Sequence, residues 1–228
     1  MNGLINWDNF ENYYFEIMKD IYPQPPDVIH TQYAIDVIVD WFTKYPVSNV
    51  LDVGCGEAFI QATFEDLGTY YVGVCLGEDY INAVNSGKNV YPYDFNFMPF
   101  PDNSFELVFS RHSLEHSPFP IITLMEWRRV SSKFLCLIIP KPKFWGWAGR
   151  NHYSVMPLLQ ARFLLARAGW QIIIEDHSNE WEYRFLCGKL DTIDQLGAES
   201  INNWIGKEET EVPEYQLTDE NLLLELVE

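Results

Sequence analysis

Asp52, Gly54 and Gly56 close the run Asn49 to Ala58, which reads Asn-Val-Leu-Asp-Val-Gly-Cys-Gly-Glu-Ala. A hydrophobic run ending on an acid and then on Gly-x-Gly suits a buried strand that must turn sharply at its end. Glycine takes the turn and leaves room for backbone N–H groups to approach a nucleotide-like ligand. Such turns recur in unrelated loops, so the weight rests on three later segments and their distances from the glycines. Tyr70 to Val74 is a second apolar strand, ending where an acid roughly 20 residues past the glycines would hold ribose hydroxyls. Asp94 and Phe95 close a third, weaker strand. The turn-rich passage Met98 to Glu106 then leads into the strand Leu107 to Ser110.

Two further groups of residues could do chemistry. His112-Ser113-Leu114-Glu115-His116 matches the His-x-x-Glu-His arrangement of some zinc hydrolases. That chemistry needs both histidines on one helical face and a third ligand elsewhere. Here the segment follows a strand directly and Pro118 interrupts any helix, so no metal site is expected and His116 reads as a structural or pocket-wall residue. The loop Pro140 to Met156 holds Lys141, Lys143, Phe144, Trp145, Trp147, Arg150, His152 and Tyr153. Cations and a histidine gathered in a strongly acidic chain suggest an anionic substrate, with aromatic rings as a flat apolar wall. A solvated loop with its rings packed into the core explains the same letters.

The elements that must position these groups are set by periodicity. Asp8 to Tyr22 and Val28 to Tyr45 carry apolar residues near helical spacing and predict two N-terminal helices. After Ser110 come helix Pro120 to Val130, strand Phe134 to Ile139, helix Pro157 to Ala168, strand Gln171 to Glu175 and strand Trp181 to Cys187. Gly169 is a suitable left-handed stop for the second of these helices. Alternating strands and helices predict a largely parallel sheet.

This order resembles a class I S-adenosylmethionine-dependent methyltransferase. The likeness rests on the glycine motif, on Asp94 after the third strand, on Pro99 to Val108 reading Pro-Phe-Pro-Asp-Asn-Ser-Phe-Glu-Leu-Val, and on Leu114-Glu115-His116. It implies an α/β fold, a Rossmann-like seven-stranded, mostly parallel sheet with helices on both faces and the last two strands antiparallel. The domain would cover residues 47–188, with N-terminal helices in 1–46 that close over the cofactor and an acidic tail in 189–228. Tyr13, Tyr14 and Tyr33 are candidates for that lid or for core packing. The implied cofactor is S-adenosylmethionine. Asp52, Gly54 and Gly56 would lie against its methionine part, Cys75 and Leu76 beside the ribose, Asp94 and Phe95 at the adenine, and Ser110 at the end of the fourth strand.

Ala58 stands where a third glycine is usual, and Cys75 where the family has an Asp or Glu for the ribose hydroxyls. A neutral thiol is a poor acceptor, so Glu78 or Asp79 would have to reach back from the next turn. Among the histidines His112, His116 and His152, the last is preferred as general base because the resembling fold places the segment after the fifth strand over the substrate pocket; a histidine capping the turn before Pro157 is the alternative. Lys143, Arg150 and Tyr153 would bind a small anionic acceptor. A methyltransferase-like protein without catalysis, acting through partners, is the alternative. A nicotinamide oxidoreductase shares the glycine turn but not the Asp94 and Pro99 to Val108 pattern.

A chain of 228 residues can bury a core within one α/β unit. The net charge of −18 argues against broad nucleic-acid binding, which needs a basic surface. Acidity is concentrated from Asp191 to Glu228, with eleven acids and one lysine. Four widely spaced cysteines without a Cys-x-x-Cys pair suggest a reducing, cytoplasmic setting. No signal-peptide pattern and no membrane span is expected. Oligomeric state is left open.

Overall fold

A computed structural model describes residues 7–19, 28–145 and 151–191. Every described residue belongs to one compact unit that lies within Met1–Leu196. Arg150 and Trp147, and the acidic tail beyond Asp191, lie outside the described residues.

The elements run α1 (Trp7–Lys19), α2 (Val28–Lys44), β1 (Asn49–Val53), α3 (Gln61–Asp66), β2 (Tyr70–Val74), α4 (Gly77–Asn85), β3 (Val90–Tyr91) and β4 (Phe105–Arg111). A single 3-10 turn, Leu114–His116, precedes α5 (Pro120–Val130), β5 (Ser131–Pro140), α6 (Pro142–Trp145), α7 (Leu158–Arg167), β6 (Trp170–Asp176) and β7 (Glu182–Lys189). The seven strands form one sheet in the order β3-β2-β1-β4-β5-β7-β6. The first five strands pair in parallel, and β7 lies antiparallel to both β5 and β6. The expected seven-stranded, mostly parallel architecture is therefore present.

Side-chain alternation splits the core into two layers, as period-2 strands require. Leu51, Val53, Val108, Leu135 and Leu137 face α5 and α7 through Leu124, Trp127, Val130, Ala161 and Leu165. Val50, Tyr71, Leu107, Phe109 and Cys136 face the other way, onto Ala34, Val37, Ile38, Trp41 and Phe42 of α2 and Phe64 of α3. Helix α2 is thus a structural layer of the sheet rather than only a cover. Pro120 opens α5, where its missing N–H costs nothing, and Gly169 ends α7 at φ +86°.

One strand falls elsewhere than expected. The third strand is Val90–Tyr91, paired to Gly73 and Val74, and Asp94 and Phe95 lie in the turn beyond it. Asp94 Oδ1 accepts from the backbone N–H of Asn96 at 2.8 Å, a local turn that competes with continued strand pairing at the sheet edge. The passage after it is tied to α5. Arg129 donates to the carbonyls of Met98 and Phe100 and pairs with Asp102, and Trp127 Nε1 donates to Phe95 O at 3.0 Å. Trp127 is fully buried, so it fixes the Phe95 segment with both packing and a hydrogen bond. All four cysteines are free thiols, and among the described residues no helix is long and apolar enough to cross a membrane.

Candidate active site

The carboxyl ends of β1, β2 and β4 open on one cavity. Gly54 to Glu57 line it after β1, Cys75, Leu76 and Asp79 after β2, and Arg111 to Ser113 at and just beyond the end of β4. Strand order reverses direction between β1 and β4, and the crevice outside such a switch point is where open α/β sheets receive ligands. Ile17 and Met18 of α1 and Thr31 of α2 line it too, as do Phe95 and Tyr153.

The glycine turn is built by close approach. Gly54 takes φ +68°, and a Cβ there would collide with the Ser113 side chain and stand 2.7 Å from its Cβ. Ser113 cannot withdraw freely, because its hydroxyl donates to Val53 O at 2.9 Å. Gly54 N and Cys55 N both donate to Val74 O, at 2.9 and 3.1 Å, which pulls the turn over the end of β2. Ala58 adopts φ +56°, a glycine-like backbone in the place where the third glycine was expected.

Asp52 is 2 % exposed and accepts from the Tyr71 hydroxyl at 2.6 Å. Burial pushes its carboxyl up to about 7, against the pull of Tyr71 and Arg111. Above it, burial and the Cys75 thiol keep the Cys55 thiol protonated. Asp79, in the first turn of α4, supplies an acid on the cavity wall that Cys75, the residue after β2, also lines. Its Oδ2 lies 3.8 Å from where a Cβ on Gly56 would stand, so the carboxylate faces the glycine turn. Burial, then Glu57 and Glu78, push Asp79 up to about 6.

The other expected residues divide. Asp52, Gly54, Gly56, Cys75, Leu76, Phe95 and Tyr153 line the cavity, whereas Asp94, Ser110, Lys143 and His152 do not. The Asp94 carboxylate is engaged by the Tyr14 hydroxyl at 2.7 Å and by Asn96 Nδ2 at 2.8 Å. Ser110 is fully buried with its hydroxyl unpartnered among the described residues. Lys141 donates to His177 O and Asn179 O, so its charge serves the β6–β7 turn, while Lys143 is exposed. Of the lid tyrosines, Tyr13 is exposed, Tyr14 reaches Asp94, and Tyr33 lies under the Arg184 guanidinium at 5.6 Å.

Directly after β4, His112 takes a strained φ of +50°. Its Nε2 pairs with Glu182 Oε1 at 3.0 Å, both groups being buried. Although burial raises it, the His112 hydrogen bond and the nearby arginines hold Glu182 down at about 2. His116 lines the cavity and its ring stands 4.9 Å from that of His152. Burial and His152 lower His116 to about 4, and burial and His112 lower His152, so both imidazoles are neutral near pH 7.

The sheet order, the glycine turn after β1 and the cavity at the switch point define a class I S-adenosylmethionine-dependent methyltransferase fold. Residues 51–133 match the family model described as a methyltransferase domain. Solved structures that share the fold include two methyltransferases. A SAM-dependent methyltransferase from Aquifex aeolicus has a TM-score of 0.57 at 18% identity, covering 67% of this chain and 89% of that one. Magnesium protoporphyrin IX methyltransferase from Synechocystis, with bound SAH, has a TM-score of 0.59 at 15% identity, covering 81% and 95%. A curated relative, sterol 4-C-methyltransferase strm-1 of Caenorhabditis elegans, is 23% identical over 144 residues, 58% of this chain. The match spans 43% of that relative's own length.

Proposed function

We propose that this protein is an S-adenosylmethionine-dependent methyltransferase acting on a small, anionic acceptor. The observation that carries the reading is the cavity at the carboxyl ends of β1, β2 and β4, lined by Gly54, Gly56, Cys75 and Asp79. In this reading Gly54, Gly56 and Asp52 hold the methionine part of the cofactor, Leu76 and Phe95 flank the adenosine, and Asp79 accepts from the ribose hydroxyls in place of the Cys75 thiol. Asp94 does not line the cavity and already accepts from Tyr14 of α1, so to serve the adenine amino group it would have to turn toward the cavity and share or exchange that bond.

Methyl transfer is an in-line displacement at a sulfonium methyl, and the protein contributes chiefly alignment. A base is needed only where the acceptor keeps its proton until attack. The neutral imidazoles of His116 and His152 stand at the acceptor end, with His116 on the cavity wall. Tyr153 offers a ring on the cavity wall, and the preference for an anion rests on the composition of the loop, since Lys143 does not line the cavity and Arg150 lies outside the described residues.

Calorimetric titration with S-adenosylhomocysteine tests the reading. One equivalent should bind, and Asp79→Asn should weaken it about tenfold, the worth of one charge-assisted hydrogen bond at the low end of its range. No heat at high protein concentration overturns the proposal. It would favour instead a methyltransferase-like protein without catalysis, the reading that the thiol of Cys75 motivates.

A further inference from the structure

Glu115, His116 and His152 each bring a ligand-type atom into one small volume, all within 4.8 Å of one another. We propose that these three side chains form a binding site for a divalent transition cation, zinc being the best fit, on the acceptor side of the cavity. The sequence motif His112 to His116 points to the wrong pair of histidines. His112 is committed to Glu182, and the second imidazole comes instead from residue 152, after β5.

Four observations carry the site. Glu115 is 2 % exposed, and its Oε2 has no hydrogen-bond partner. A buried carboxyl oxygen left without a partner is costly, and a cation would supply one. His152 Nδ1 is likewise buried without a partner. His116 donates its Nδ1–H to Asn151 O at 3.0 Å, which makes Nε2 the lone-pair nitrogen. That is the arrangement a metal-bound imidazole uses, its other nitrogen held by a backbone carbonyl. Finally, Tyr153 N and Ser154 N both donate to Glu115 O, at 2.7 and 2.9 Å, so the loop carrying His152 is stitched onto the turn carrying Glu115 and His116.

Two imidazoles and one carboxylate are the donor set of open zinc sites, which keep a further position for water or substrate. Bonds of roughly 2.0–2.1 Å place tetrahedral ligands about 3.4 Å apart, so the three side chains draw inward on binding. Because His116 also lines the cavity, a metal held by these residues would border it and, as a Lewis acid, would favour the anion of an acceptor oxygen. That role rests on the methyltransferase reading; the binding of metal does not.

The test uses the full chain after chelator treatment, titrated calorimetrically with zinc chloride and, for its visible d–d bands, with cobalt(II). One equivalent should bind and raise the melting temperature. Glu115→Gln and His152→Ala should each weaken binding at least tenfold and erase the cobalt bands. His177→Ala and Cys55→Ser should retain them. Metal-free Glu115→Gln should melt close to the parent, because it exchanges one buried, unpartnered polar group for another of the same shape, and that separates lost ligation from lost folding. Its affinity for S-adenosylhomocysteine should be unchanged, which separates failure of this site from failure of the cofactor reading. Absence of heat, binding untouched by both substitutions, or loss in Cys55→Ser overturns the proposal.

Discussion

Gly54→Ala probes the turn on which the cavity depends. The backbone there sits at φ +68°, and holding an L-residue in that region costs roughly 1–2 kcal/mol. The added methyl also collides with Ser113, whose Cβ would lie 2.7 Å away and whose hydroxyl is held by Val53 O. Overpacking of this kind costs about 1–3 kcal/mol, so the single variant should lose about 2–5 kcal/mol in all. At about 2–4 °C per kcal/mol for a domain of this size, its melting temperature should fall by roughly 4–20 °C. Ser113→Gly removes both colliding atoms and leaves only Phe95 Cδ1 at 3.8 Å, an ordinary contact. Alone it should cost about 1 kcal/mol through the lost hydrogen bond. Together the two should cost less than their sum by about 1–3 kcal/mol, the overpacking part, while the backbone part remains. Urea unfolding of the four proteins measures the cycle. Strict additivity, or a Gly54→Ala variant as stable as the parent, would refute the close approach of this turn to Ser113.

Asp52→Asn should stabilise the protein in alkaline but not in acid buffer. The folded carboxyl is raised to about 7, so the native state binds the extra proton between about pH 4 and 7. Parent stability therefore falls as pH rises through that window, by up to about 4 kcal/mol above pH 7. The two melting temperatures should coincide near pH 4 and separate by pH 8; an asparagine variant less stable at pH 8 rejects the assignment. For Asp79, raised to about 6, the prediction concerns binding: affinity for S-adenosylhomocysteine should fall as pH drops below about 6, and Asp79→Asn should flatten that profile. Cys75→Asp should tighten the same ligand about tenfold, and by more in the Asp79→Asn background. Unchanged affinity in both backgrounds would show that neither position faces the ribose. Tyr14→Phe frees Asp94 Oδ2 and should strengthen adenosyl binding, whereas weaker binding argues that the Tyr14 bond supports the pocket.

Much of this molecule is legible from local pattern. Helix α5 begins and ends at the residues its proline and periodicity indicate, and Gly169 takes the left-handed backbone that stops α7. The end of β1 reads as a glycine turn because positive φ and a close neighbour both exclude a Cβ. These are short-range constraints, expressed over a few residues, and sequence carries them directly. Even the misplaced third strand is a local matter, since two paired residues at a sheet edge leave little periodicity to detect.

The site is another matter, because partners far apart in the chain decide it. The glycine motif, Cys75 and Phe95 are visible as letters, but which acid faces Gly56 depends on how α4 leaves β2, and only the tertiary structure selects Asp79 over Glu78. Asp94 has the expected identity and spacing, yet its carboxylate is taken by a tyrosine 80 positions earlier. His116 and His152 come together because backbone bonds from Tyr153 and Ser154 to Glu115 O fold one loop onto another. Sequence by itself determined the strand, the turn and the order of elements, since those arise from backbone and hydrophobic preference within each segment. Only the packed sheet decided which polar side chains meet, since that depends on the register and angle at which distant segments cross.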